Sequence, residues 1–272
     1  MYVQAPDRKP VTAPSLRKMK SEGRKIVMLT AYDASLAAQL EMAGVDVALV
    51  GDSLGNVVQG HASTLPVTLD HMVYHCQAVA RGLSTTLLVA DLPFMTDRDV
   101  PHALDAAHRL VAEGGAAMVK VEGAGHVLEV IAAVTARNIP VCAHLGLTPQ
   151  SVHRLGGYKV QGREQDVADQ LLADGHAVAD AGAGMLVLEC VPSALAARIA
   201  DELDIPVIGI GAGAGCDGQV LVIYDMLGIT PGKRPKFSKD FLAGRGSVAE
   251  AIAAYARDVR EGRFPDADHA FD

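Results

Sequence analysis

The chain has 272 residues, half of them hydrophobic, a formal charge of −8 and no tryptophan. Its Lys and Arg residues are scattered, so the basic footprint of a nucleic-acid binder is missing, and no apolar run reaches the ~18 residues that span a bilayer. The N-terminus MYVQAPDRKPVTAP lacks the apolar centre of a signal peptide, and the four cysteines show no zinc-like spacing. A cytoplasmic protein with reduced, buried thiols is therefore expected.

In chain order, SLRKMKSEG (15–23) reads as an amphipathic helix ahead of the first strand. Eight short aliphatic runs follow: KIVMLTAYD (25–33), VDVALVGD (45–52), TTLLVADLP (85–93), AAMVKVEG (116–123), IPVCAHLG (139–146), GMLVLECV (184–191), IPVIGIGAG (205–213) and VLVIYDMLG (220–228). Alanine-rich stretches with helical spacing lie between most of them, at 34–44, 101–115, 126–138, 166–182 and 192–203. Gly44, Gly114 and Asn138 stand where helices stop, and Pro192 where a first-turn proline is tolerated. SVAEAIAAYARDVREG (247–262) reads as a helix after the last strand.

Strands alternating with helices imply parallel pairing, and parallel strands buried on both faces read as unbroken apolar runs. An open doubly wound sheet fits the alternation, but eight strands in one chain of this length favour a closed (β/α)₈ TIM barrel. A single domain is expected, with the barrel at about 24–245, a C-terminal helical segment at about 246–264, and weakly ordered ends at 1–10 and 263–272.

In such a barrel the chemistry sits at the carboxyl ends of the strands. Those ends carry Tyr32 and Asp33, Asp52 and Ser53, Asp91, Lys120 and Glu122, His144, and Glu189. Asp52 alone could be a helix cap; Asp91 is followed by Leu92, Pro93 and Phe94, which start a helix poorly. Lys120 and Glu122 are two apart on a strand and so share a face. An interior salt bridge explains them equally well, although it adds little net stability. Three carboxylates from neighbouring strands repel, and a cation resolves the repulsion. Oxygen donors without cysteine select a hard ion, Mg²⁺ or else Mn²⁺, making Asp52, Asp91 and Glu122 the metal candidates. Glu189, on the far side behind the apolar MLVL, is the candidate proton acceptor, with Lys120 and His144 as electrostatic and hydrogen-bonding partners.

Three further motifs have plainer readings. GIGAGAG (209–215) lies too late in the chain for a dinucleotide fingerprint and reads as a turn permitting close backbone approach. His71 and His75 in HMVYH have chelating spacing but read as surface or packing residues. GKRPKF (232–237) is a basic loop, either solvated or able to attract an anionic substrate tail.

Taken together, LVGDSLGNVVQGHASTLPVT, LLVADLPF, VKVEG, PVCAHLGLTPQ, GGYKVQGR, LVLECVP, IPVIGIGAG and DGQVLVIYDMLG resemble the ketopantoate hydroxymethyltransferase family across roughly residues 20–266. The resemblance implies a barrel of the phosphoenolpyruvate/pyruvate type and a homodecamer in pantothenate biosynthesis. The reaction it implies is Mg²⁺-dependent transfer of a hydroxymethyl group from 5,10-methylenetetrahydrofolate to 3-methyl-2-oxobutanoate. By motif, Asp52, Ser53, Asp91 and Lys120 would bind the oxo acid, Asp52, Asp91 and Glu122 the metal, and Glu189 would take the proton. A Schiff-base aldolase using Lys120, a metal-dependent lyase or mutase acting on another 2-oxo acid, and a catalytically silent metabolite-binding barrel are the competing readings. No motif marks a pterin site.

Overall fold

Aliphatic side chains on both faces leave these strands no solvated side, so each must be covered by barrel interior within and helices without. The computed structural model describes residues 8–230, 232 and 234–272. Its strands are β1 Ile26–Thr30, β2 Val47–Val50, β3 Leu87–Asp91, β4 Met118–Glu122, β5 Val141–Gly146, β6 Met185–Glu189, β7 Val207–Ile210 and β8 Gly218–Leu221. Each pairs in parallel with the next, and β8 returns to β1, so the barrel closes in sequence order. Closure rules out the open doubly wound sheet, which would leave two edges.

Helix α1 is Ala13–Ser21, α2 Ala34–Met42, α3 Leu54–Val57, α4 Leu69–Ala80, α5 Val100–Ala112 and α6 Val127–Thr135. They are followed by α7 Val152–Leu155, α8 Gln165–Asp180, α9 Ser193–Glu202, α10 Ile223–Met226 and α11 Val248–Arg260. Side-chain caps start several of them: Thr12 for α1, Asp33 for α2, Thr68 for α4, Asp99 for α5 and Ser247 for α11. No described helix is long and apolar enough to cross a membrane. All four cysteines are free and buried.

Two expectations need correction. The last apolar run, expected as a strand over 220–228, is strand only to Leu221. The Thr30 hydroxyl accepts the Ile223 N–H at 2.9 Å, which ends the ladder and turns the chain into α10. Secondly, residues 263–272 are anchored where weak order was expected. Phe264 packs on Phe241 and Tyr255 at centroid distances of 5.3 and 5.8 Å. The Phe271 carbonyl accepts both the N–H and the hydroxyl of Ser193 at 2.9 Å. An aromatic cluster gathered from separate segments is invisible in local composition. At the other end of the chain, residues 1–7 of the expected weak N-terminus lie outside the described residues.

Tyr255 of α11 is fully buried, and its hydroxyl donates to the carbonyls of Met28 on β1 and Gln219 on β8, both at 2.9 Å. It thereby ties α11 to the seam where the barrel closes. At the amino end of the strands, buried Asp46 accepts the Val27 N–H at 3.0 Å between Arg8 and Arg260, 3.8 and 3.6 Å away. That end is built for stability, away from the site. Tyr255→Phe is expected to cost about 1 kcal/mol and Tyr255→Ala about 3–5 kcal/mol, read as loss of the urea unfolding midpoint. A Tyr255→Phe variant as stable as the parent would refute the hydroxyl's part in closing the seam.

Candidate active site

A cavity of about 680 Å³ opens at the carboxyl mouth of the barrel. Every strand reaches it: Thr30, Leu49, Asp91, Lys120, Glu122, His144, Glu189, Ile210 and Leu221 lie in its wall with Asp52 and Ser53. The parallel register explains the convergence. Asp91 stands opposite Lys120, Glu122 opposite His144, and Gly146 opposite Glu189, so the polar residues form one tier around the rim. Gly146 has φ +88°, and a Cβ there would collide with the Glu189 carbonyl; only glycine lets β5 pass so close to the end of β6.

Lys120 holds this tier together. Its Nζ lies 3.1 Å from Asp91 Oδ1, 3.7 Å from Glu122 Oε1 and 3.2 Å from His144 Nδ1. His144 bridges two acids, with Nδ1 3.3 Å from Glu122 Oε1 and Nε2 3.3 Å from Glu189 Oε2. Asp91 Oδ2 accepts the backbone N–H of Asp52 at 3.0 Å, which locks the loop after β2 onto β3. Asp52 is therefore no helix cap. Asp33, by contrast, is one: its carboxylate accepts from the N–H groups of Ser35 and Leu36. Tyr32 turns inward, its hydroxyl 2.8 Å from the Ser53 hydroxyl, while its carbonyl meets His75 Nδ1 at 2.7 Å. His71 accepts the Thr68 N–H in a capping box, so the histidine pair serves packing.

The charges follow from burial. For Lys120, burial favours the neutral amine, but Asp91, Glu122 and Asp52 together outweigh it and hold the group charged, well above the usual lysine range. Burial, followed by Glu122 and Asp91, pushes the Asp52 carboxyl well up. Asp91 is also raised, by burial more than Lys120 lowers it. Glu122 is held low: burial opposes ionisation, but the His144 hydrogen bond and the Lys120 charge prevail. Burial and Lys120 press His144 downward, yet its bonds to Glu122 and Glu189 carry it to about 9.

Negative charge thus remains in excess at one rim. Among the described residues no group of three or more His, Cys, Asp or Glu side chains is arranged to hold an ion by itself. Glu122 is engaged by Lys120, His144 and the Gln150 N–H, the last at 3.0 Å. Asp91 Oδ1 is buried and, among the described residues, lacks a well-aligned hydrogen-bond donor and pairs with no cation but Lys120. Asp52 and Asp91 together therefore fit a hard divalent ion that fills its remaining positions with water and substrate.

Sequence reasoning missed Gln150. Its side chain donates to Asp52 Oδ2 and the Leu92 carbonyl, both at 2.9 Å, and its backbone N–H to Glu122, so one residue after β5 braces acids from two other strands. The only signal was its place in GLTPQ, beyond a strand end. The basic loop also proves relevant, since Arg234, Lys236 and Phe237 stand in the cavity wall.

A family model of ketopantoate hydroxymethyltransferase matches residues 10–267. The chain belongs to that family, and it is an enzyme. It is 62% identical over 266 residues, 97% of each chain, to the 3-methyl-2-oxobutanoate hydroxymethyltransferases of Xanthomonas euvesicatoria pv. vesicatoria (strain 85-10) and Xanthomonas campestris pv. campestris (strain 8004). Among solved structures it resembles phosphoenolpyruvate phosphomutase from Streptomyces platensis subsp. rosaceus, with TM-score 0.59, 16% identity, and 78% and 81% of the two chains covered. It also resembles a phosphonopyruvate hydrolase complex with oxalate and Mg²⁺, with TM-score 0.59, 14% identity, and 94% and 100% covered. At such identities these two establish the barrel fold alone.

Removing the central cation should expose its role. Lys120→Met is expected to lose about 3–5 kcal/mol of unfolding free energy in urea, because buried carboxylates are left uncompensated. Added divalent cation should restore part of the loss. Unchanged stability would show that Lys120 does not hold the acidic tier together.

Proposed function

We propose that the enzyme transfers a hydroxymethyl group from 5,10-methylenetetrahydrofolate to 3-methyl-2-oxobutanoate, giving 2-dehydropantoate for pantothenate synthesis. The observation that carries the reading is the placement of Glu189 across the mouth from the Asp52, Asp91 and Lys120 group, with the cavity between them. A base on one side and positive charge on the other suit removal of a proton next to a carbonyl. The names of the relatives agree with it.

Asp52 and Asp91 would hold the divalent ion, Mg²⁺ by donor chemistry, with Glu122 behind them. When bound, the ion would stabilise charge developing on the oxo-acid oxygens, an effect on the order of several kcal/mol. The protein's own groups do the rest. Ser53, steadied by Tyr32, and Lys120 bind and orient the oxo acid. Glu189 takes the C3 proton, and His144, in contact with its carboxylate, fixes its position. The resulting carbon nucleophile bonds to the one-carbon unit, both carbon–nitrogen bonds that hold this carbon to folate break, and water supplies the hydroxyl oxygen; the proton taken from C3 and one from water end on the two folate nitrogens as tetrahydrofolate leaves.

The Schiff-base alternative is disfavoured by Lys120 itself. A nucleophilic amine must be neutral, and three carboxylates keep this one protonated. The same reading extends to a cytoplasmic homodecamer, on the strength of the sequence resemblance. The exposed Met42, Tyr74 and Ile229 provide apolar surface for assembly, and the mass in solution tests it.

Glu189→Gln should abolish deuterium exchange at C3 of 3-methyl-2-oxobutanoate, followed by NMR in heavy water, while oxo-acid binding persists. Full exchange in the variant would refute the base assignment. Chelation should remove both exchange and transfer, and borohydride should trap no substrate on Lys120. Gln150→Ala should weaken the apparent Mg²⁺ affinity by roughly 10–100-fold, as loss of a group orienting metal ligands does. A Mg²⁺ titration midpoint equal to that of the parent would exclude that bracing role.

A further inference from the structure

A cavity of about 680 Å³ lies in the range that encloses a drug-sized ligand, far more than a small branched oxo acid fills. The acidic tier occupies the side formed by β2 to β6. The remaining wall, beside β8, carries Asp225, Thr230, Arg234, Lys236, Phe237 and Phe271.

Asp225 is the unexplained group there. It is only 6% exposed. Its Oδ1 accepts from the Thr230 hydroxyl at 2.5 Å, and among the described residues its Oδ2 accepts from nothing and no cation pairs with it. Burying a carboxylate is costly unless a partner completes its hydrogen bonds. Burial does raise its pKa, more than Thr230 and the Arg234 charge lower it. A carboxylate in this state suits a ligand edge that presents two adjacent N–H donors, because such a pair binds a carboxylate bidentately.

The neighbours match the rest of such a ligand. Phe237 packs against Gly211, whose φ of +62° and missing Cβ let the ring lie within about 3 Å of where a side chain would begin. Phe271, held by Ser193 through its carbonyl, supplies a second apolar ring. Arg234 and Lys236 stand exposed at the rim; Lys236 Nζ lies 5.1 Å from the Phe271 ring centroid. The wall therefore offers an acceptor inside, aromatic surface in the middle and positive charge outside.

We propose that this wall is the subsite of the one-carbon donor. Asp225 reads the amide N–H and 2-amino group of a reduced pterin, and Arg234 and Lys236 face the carboxylates of its glutamate tail. The assignment rests on the reading of the donor as a folate.

The test is Asp225→Asn, which keeps an acceptor for Thr230 and replaces the other oxygen by an amide nitrogen. Calorimetry of the Mg²⁺-loaded enzyme should show tetrahydrofolate binding weakened about tenfold or more, with the KM for the oxo acid and the folate-independent C3 exchange unmoved. The parent should bind 2-desamino-tetrahydrofolate about tenfold more weakly than tetrahydrofolate, and the variant should not distinguish the two. Parent-like tetrahydrofolate binding by the variant, or retained discrimination of the amino group, overturns the subsite while leaving the reaction standing. A loss falling equally on oxo-acid exchange assigns Asp225 a structural role and overturns it as well. Failure of the parent to bind any folate overturns the donor reading itself.

Discussion

A single ammonium group buried in the barrel mouth sets the terms for everything around it. Lys120 sits almost wholly out of water, a position that ordinarily strips lysine of its proton. It stays charged because Asp91 and Glu122 flank it, and those acids are tolerable in turn only because Lys120 is there. Strands β3 and β4 are thereby tied by charge as well as by backbone hydrogen bonds. The compensation is incomplete, however: Asp52, Asp91, Glu122 and Glu189 outnumber Lys120 and His144. What remains is an electronegative rim, prepared for a cation and a polar substrate and poorly suited to purely structural use.

Histidine is what links the two halves of that rim. His144 touches Glu122 with one ring nitrogen and Glu189 with the other, so the acids on β4 and β6 are fixed relative to each other across β5. Gln150 performs the equivalent service for the loop after β2 and for β4. Both braces come from the strand between or from the loop above it, so Asp52, Glu122 and Glu189 are each held by a short contact. The cavity beyond is polarised in the opposite sense. Acids line its inner tier, while Arg234 and Lys236 stand at its outer edge, a division suited to two substrates of different charge entering one mouth.

Much of the site was legible because barrel strands obey a simple rule: the last residues of each apolar run face one rim. That rule places Asp52, Ser53, Asp91, Lys120, Glu122, His144 and Glu189 at the rim, and all line the cavity. The rule does not say which strand-end acid is only a cap. Asp33 and Asp52 occupy the same kind of position, yet Asp33 closes the first turn of α2 and Asp52 is held by Asp91 and Gln150. Nor does the rule reveal that Glu189, behind its apolar strand, has His144 against its carboxylate.

From the amino-acid sequence alone came the number and polarity of the strands, the aliphatic core and the side of the barrel that bears chemistry, because periodicity and strand-end position are local properties. The tertiary structure alone decided that the sheet closes, that β8 stops at Leu221 where Thr30 captures a backbone N–H, and that the C-terminal residues fold back so that Phe271 joins the cavity wall. It alone brought Gln150 onto Asp52 and left Asp225 buried opposite the acids. Each of these depends on contacts between residues far apart in the chain, and a local pattern carries no record of which distant partner will satisfy a buried charge.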